Sequence, residues 1–188
     1  MIQPKCSKIL SRSEVNLERE FKWYDIDNTK KVTMSCIPFG PTNMGTVGTC
    51  KMAKVMVKSK HIACLEKHIP YEEIESLYSD LSYDEAARVI PSIGIKESTD
   101  GIKRLYDKFH IKMLMIDVPN GYIPSLVERV KELHAYCKDT CIIAGNIVDA
   151  AGASQLMDAG VKVLKTGIGN GCFLGDTPIL TELGLKRI

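Results

Sequence analysis

The chain has 188 residues, 45% of them hydrophobic, and a formal net charge of +2. That is the size of one ordinary domain with enough apolar content for a core. The near-neutral balance excludes a nucleic-acid partner held by a basic face. No apolar run approaches the roughly 18 residues of a membrane span, so no membrane partner is expected.

In chain order, residues 1–20 are polar and carry no signal-peptide core. The seven cysteines are scattered and odd in number. No disulfide framework is expected from them, and a reducing, cytoplasmic compartment fits best. From there one pattern repeats: a short apolar run, a polar loop, then an amphipathic segment. The apolar runs are Cys36 to Phe39, His61 to Leu65, Arg88 to Ile90, Lys112 to Ile116, Thr140 to Ile143 and Val161 to Leu164. Between them, apolar residues three or four apart predict helices. These cover 47–59 (Val47, Met52, Val55, Met56), 71–81 (Ile74, Leu77, Leu81) and 98–109 (Ile102, Leu105, Phe109). They also cover 123–137 (Leu126, Val127, Val130, Leu133) and 148–158 (Ala151, Leu156, Met157). The Lys-rich stretch from Lys51 to Lys60 reads as the solvated face of the first helix.

Strands alternating with helices imply a parallel sheet, either an open doubly wound sheet or a (β/α) barrel. A barrel needs eight strands and roughly 250 residues, and about six units are present here. Polar or glycine-bearing clusters follow the strands: 42–46, 66–68, 92–94, 117–121, 145–146 and 167–171. Every unit contributes, whereas a Rossmann-type sheet concentrates its site at one crevice. The expected fold is therefore an incomplete (β/α)8 TIM barrel.

The motifs are individually modest. Gly167-Ile-Gly-Asn-Gly171 follows a strand, and its glycines allow close backbone approach to a phosphate or cation. It lacks the third glycine position and helix of a dinucleotide fingerprint. Asp117 ends a strand and is equally suited to a ribose contact or a helix cap. Lys67 suits an anionic ligand or solvent. His61, Cys64 and His68 have zinc-like spacing, but strand alternation puts the first two on opposite faces, so no metal cluster is expected there.

Together the loops resemble the IMP dehydrogenase/GMP reductase family, over roughly residues 4–171 and in the correct order. The carriers are Ser11 to Phe21, Asn43-Met-Gly-Thr-Val-Gly48, Lys67-His68, Ile116-Asp-Val-Pro-Asn-Gly-Tyr122, Ala144-Gly-Asn-Ile-Val148 and Lys165 to Gly171. The 116–122 loop and Ala144-Gly-Asn are more like the reductase branch. That resemblance implies a reductive deamination in which GMP and NADPH give IMP, ammonia and NADP. It proceeds through a covalent bond from a cysteine to the purine C2. It further implies an NADPH site lined by Ser11, Arg12, Lys67, Asp117, Val118, Pro119, Ile168 and Gly169. Gly169 and Gly171 would offer carbonyls to a monovalent cation such as K+, and the complete enzyme would be a homotetramer. The alternatives are an IMP dehydrogenase using NAD, or a non-catalytic barrel-derived oligomerisation module.

The departures matter. Gly45 stands where the family has an acid, and Pro119 replaces a small residue. After Gly171 the family continues Gly-Ser-x-Cys-Thr, so Leu174 falls where the nucleophile is due. Instead, Cys172 to Ile188 resembles the opening of an intein, with Cys172 first, an apolar pair, Gly-Asp-Thr and a hairpin-like pair of short strands. In that reading residues 1–171 are partial barrel and 172–188 the start of an intein. Cys172 would attack the Gly171 carbonyl in an N-to-S acyl shift, the partner being a C-terminal split-intein half or the remainder of the same chain. The alternative has Cys172 itself attack the nucleotide. A two-residue shift disfavours it, because about 1 Å of misplacement already costs about 10²-fold. The chain alone is expected to be inactive as a reductase.

Overall fold

A computed structural model describes residues 8–167 and the backbone of two strands, Pro178–Thr181 and Gly184–Arg187. The first elements are a 3-10 turn, Arg12–Glu14, and an antiparallel hairpin of β1 (Arg19–Tyr24) and β2 (Lys31–Cys36). Then come α1 (Cys50–Lys58), β3 (Ala63–Cys64), α2 (Tyr71–Ser79), α3 (Tyr83–Ala86), β4 (Val89–Ile90) and β5 (Ser92–Ile93). The chain goes on through α4 (Asp100–Phe109), β6 (Met113–Asp117), α5 (Pro124–Tyr136), β7 (Cys141–Ile147), α6 (Ala150–Asp158) and β8 (Val163–Thr166). The two later strands are β9 (Pro178–Thr181) and β10 (Gly184–Arg187).

All six expected strand positions carry parallel pairing. A bridge from Ile37 to His61 joins the first to the second. β3 pairs with β4, then β5, β6, β7 and β8 follow in order. Pro91 separates β4 from β5, since it has no N–H for a ladder, but its carbonyl still accepts from Met115 at 2.9 Å. Among the described residues β8 pairs with β7 alone, so the sheet does not close on itself.

Strand alternation divides the core in two. Leu114 and Ile116 of β6, with Ile142 and Ala144 of β7, face the helices and are fully buried. Met113 and Met115, with Cys141 and Ile143, face the barrel interior. The hairpin closes the floor of that interior with Trp23, Val32, Met34 and Cys36. Trp23 Nε1 donates to the Asp139 carbonyl at 2.9 Å, and the Ile26 amide to the Lys138 carbonyl at 2.9 Å. Asp139 anchors the junction further, accepting from Lys30 at 2.8 Å and from Tyr106 at 2.9 Å. Burial works against its charge, yet these donors hold its carboxyl below the usual range. Beside β8 the interior opens as a cavity of about 340 Å³ walled by Met34, Ile62, Met113, Ile143 and Val163.

The helices lie where periodicity put them, with two corrections of face. In α1 the buried residues are Cys50, Ala53 and Val57, while Met52 and Val55 face solvent. The buried seam on β3 runs through Cys50, Ala53 and Val57, three and four residues apart, and Met52 and Val55 lie off it. In α6 the buried residues are Gly152 and Leu156, and Ala151 and Met157 are exposed. A Cβ at Gly152 would come within 2.7 Å of the Tyr122 ring, so close approach there favours the smallest side chain. Side-chain caps fix several helix starts: Thr49 for α1, a Ser82–Glu85 capping box for α3 and Asp149 for α6. No described helix is long and apolar enough to cross a membrane.

β9 and β10 form a separate antiparallel pair, with Thr181 opposite Gly184 and Pro178 opposite Arg187. The short strands expected over 179–188 are therefore present as a hairpin.

Candidate functional site

The loops after the parallel strands gather at one end of the sheet. Asp117 is the last residue of β6, on the interior side. In register it lies opposite Gly145 of β7, which lies opposite Lys165 of β8. Strands stand about 4.8 Å apart, so a side chain on β7 would normally keep its two neighbours separate. Gly145 offers none, and Lys165 reaches over it to Asp117 in a short ion pair. Asn43, from the loop after the first strand position, donates Nδ2 to Asp117 at 2.9 Å and receives Lys165 Nζ at 3.4 Å. Two strands and one loop are thus tied into one polar cluster, with side-chain exposures of 26% for Lys165 and 22% for Asp117.

The loops after β6 and β7 are stitched by backbone. Val118 N donates to the Gly145 carbonyl at 3.0 Å, Asn146 N to Val118 at 2.9 Å, and Gly121 N to Asn146 at 2.8 Å. A Cβ at Gly121 would stand 2.5 Å from the Asn146 carbonyl, which explains glycine there. Asn146 Nδ2 donates to the Gly167 carbonyl at 2.8 Å and so holds the start of the glycine loop.

Beside this cluster lies a cleft of about 390 Å³. Lys67 follows β3, Gly94 to Glu97 follow β5, Asp117 ends β6 and Val118 to Asn120 follow it, with Ile123 at the base of α5. Four expected cofactor residues, Lys67, Asp117, Val118 and Pro119, therefore share one cleft. Ser11 and Arg12 sit in the exposed 3-10 turn, where the Ser11 hydroxyl accepts from Ser13 N at 3.3 Å, and they do not line it. Ile168, Gly169, Gly171 and Cys172 lie outside the described residues. Motif reading did not give roles to Asn43, Lys165, Lys96 or Glu97. The first two lay within recognised loops, but their pairing depends on sheet register. The last two lie just past the Ser92 to Gly94 cluster and carry no local motif.

Gly45 has open space, the nearest neighbour of an added Cβ being Glu66 Cγ at 4.0 Å. Glu66, from the second strand's loop, is the side chain nearest this corner. Cys64 lies beneath the polar cluster; burial pushes its thiol up to about 11, with Lys165 opposing and Asp117 adding. It stays protonated at neutral pH and is a poor nucleophile. Among the described residues no group of three His, Cys, Asp or Glu is placed to hold a metal.

Residues 1–184 match the family model described as the IMP dehydrogenase/GMP reductase domain. The chain belongs to the IMP dehydrogenase/GMP reductase family. It is 34% identical to a GMP reductase of Buchnera aphidicola over 192 residues, which covers all of this chain and 53% of that protein. It is 33% identical over 191 residues to one from Edwardsiella ictaluri, again over all of this chain and 53% of the relative. A GMP reductase of Caenorhabditis elegans is 32% identical over 175 residues, 91% of this chain and 47% of its own length. The chain thus spans about half the length of the curated relatives it matches. The family match runs to residue 184, beyond the Gly171-Cys172 junction.

Proposed function

We propose that this chain supplies the dinucleotide-binding side of a GMP reductase barrel, which reduces GMP to IMP and ammonia with NADPH. The observation that carries this reading is the convergence of Lys67, Asp117, Val118 and Pro119 on one cleft beside the Asp117–Lys165–Asn43 cluster. The cleft fits part of a dinucleotide. Lys67 and Lys96 have no partner among the described residues, and Ile95, Val118 and Ile123 offer an apolar wall for a flat ring. NADPH, when bound, supplies the hydride. Lys165 and Asn43 hold the Asp117 carboxylate in place, and the Asn146 side chain holds Gly167. The described cysteines Cys36, Cys50, Cys64, Cys137 and Cys141 all have thiols pushed up by burial. The covalent step belongs to a cysteine elsewhere in the complete enzyme.

The segment from Cys172 is read as the start of an intein that interrupts the substrate loop. Two features support it. The β9–β10 pair is antiparallel and separate from the barrel sheet, whereas a barrel unit would place a helix and then a parallel strand. Cys172 also directly follows Gly171, whose lack of a side chain leaves its carbonyl open to attack. The whole enzyme works in the cytoplasm as a homotetramer on this reading, and the chain without the remaining barrel is inactive.

Three measurements test these readings. Calorimetric titration of the complete gene product with NADPH should show binding that Asp117→Ala removes; a complete protein that binds no nicotinamide dinucleotide would overturn the reductase reading. Purified 188-residue chain mixed with GMP and NADPH should consume no NADPH, and turnover would overturn the claim of inactivity. For the junction, peptide mass analysis of the mature protein should find Gly171 joined to serine. A mature, active enzyme that keeps Gly171 joined to Cys172 would sink the intein reading.

A further inference from the structure

The cleft contains one buried polar atom that the described residues do not satisfy. Glu97 Oε2 is buried and has no hydrogen-bond partner among the described residues. The side chain folds back over Gly94, where an added Cβ would stand 2.5 Å from Oε2 and 3.1 Å from both Cδ and Oε1. Glycine at 94 therefore makes room for the carboxylate against the cleft wall. No ion pair reaches Glu97 among the described residues, and its neighbour Lys96 and facing Lys67 are also without partners. A buried acceptor without a donor costs about 1–3 kcal/mol. A structural carboxylate would be expected to have acquired one of the two nearby lysines.

The arrangement asks for a ligand that brings a donor to Glu97 and anions to the lysines. A ribose hydroxyl is such a donor, and a phosphate oxygen is not, because it would meet like charge. The ammonium groups of Lys96 and Lys67 suit the phosphates joined to that ribose. The geometry points to Glu97 as the acceptor for a ribose hydroxyl of the bound dinucleotide, with Lys96 and Lys67 as the cations that meet its phosphates. This rests on the reading of the cleft as a dinucleotide site and adds a specificity residue to it.

The test is calorimetric titration of the complete gene product, as wild type, Glu97→Ala, Glu97→Gln, Lys96→Ala and Asp117→Ala, with NADPH and with NADH. Glu97→Ala should weaken both ligands about tenfold or more, and Glu97→Gln, which keeps an acceptor oxygen, should weaken them less. Lys96→Ala should weaken NADPH more than NADH, which lacks the extra phosphate. Without ligand, Glu97→Ala should melt at the same temperature as wild type or higher, since it removes a buried unsatisfied group. A purely structural glutamate would instead lower the melting temperature. Glu97→Ala affinities within twofold of wild type, with binding still lost in Asp117→Ala, would overturn the assignment while leaving the cleft reading in place. Failure of the wild type to bind either dinucleotide would overturn both.

Discussion

Lys165 and Asp117 form an ion pair although a whole strand stands between them. The contact exists because Gly145 occupies the middle position of that row. The pair is about a quarter exposed, with Asn43 accepting and donating at its edge. Lys165→Met would leave the Asp117 carboxylate with Asn43 alone. Loss of about 1–3 kcal/mol in urea unfolding is expected, with Lys165→Arg closer to wild type. A loss below about 0.5 kcal/mol, the range of an ordinary surface substitution, would show the pair to be incidental.

Gly145 itself should tolerate no side chain. A Cβ there would fall 2.2 Å from the Lys165 carbonyl and 2.8 Å from Lys165 Cβ. The first is backbone and cannot swing aside. Gly145→Ala is expected to cost about 1–3 kcal/mol or more and to lower the melting temperature. Gly45→Ala is the contrast, since its nearest contact is 4.0 Å away; it should melt with wild type.

Trp23 is the only tryptophan in the chain and is 8% exposed. Its fluorescence therefore reports whether the hairpin is seated in the barrel floor. Emission should be blue-shifted in the folded protein and move red on unfolding in step with far-ultraviolet circular dichroism. Trp23→Phe should remove the bond to Asp139 and cost about 1 kcal/mol. A red-shifted native spectrum would mean that the floor is open.

The buried thiols give a pH dependence with a definite sign. Burial raises Cys64 from an ordinary 9.0 to about 11, and Cys50, Cys137 and Cys141 to about 12. Between those limits the unfolded chain has released protons that the folded chain still holds. Stability therefore falls as pH rises from about 9 towards 11–12, which denaturant midpoints across that range would reveal. At pH 8 these thiols should resist alkylation until the chain is unfolded. Rapid labelling of Cys137 in the native state would contradict its full burial.

The order of strands and helices was legible because an apolar run followed by a 3.6-residue period is a local signal. The burial of Leu114, Ile116 and Ile142 follows from the same pattern. What was not legible depends on contacts distant in sequence. The hairpin of β1 and β2 carries alternating Val32, Met34 and Cys36, but only Trp23 lying on Asp139 shows it to be a floor. The faces of α1 and α6 were misjudged because bulk was taken as the mark of burial, whereas Ala53 and Gly152 are among the residues buried. At the site, Asp117, Val118, Pro119 and Lys67 were expected from the family resemblance, and the structure brings them to one cleft. Lys165 was missed because its partner is set by register, and Glu97 because an unsatisfied oxygen has no sequence signature.

The Trp23–Asp139 clasp also has a consequence for biosynthesis. Its two residues are 116 positions apart in the chain. At a ribosomal rate of about 5–20 residues per second, Asp139 emerges roughly 6–23 s after Trp23. During that interval the hairpin meets only part of its cover, from Ile90, Met113 and Met115, and lacks its clasp. An early element thus waits for a late one, and the apolar face of this hairpin is fully clasped only after more than a hundred further residues have been made.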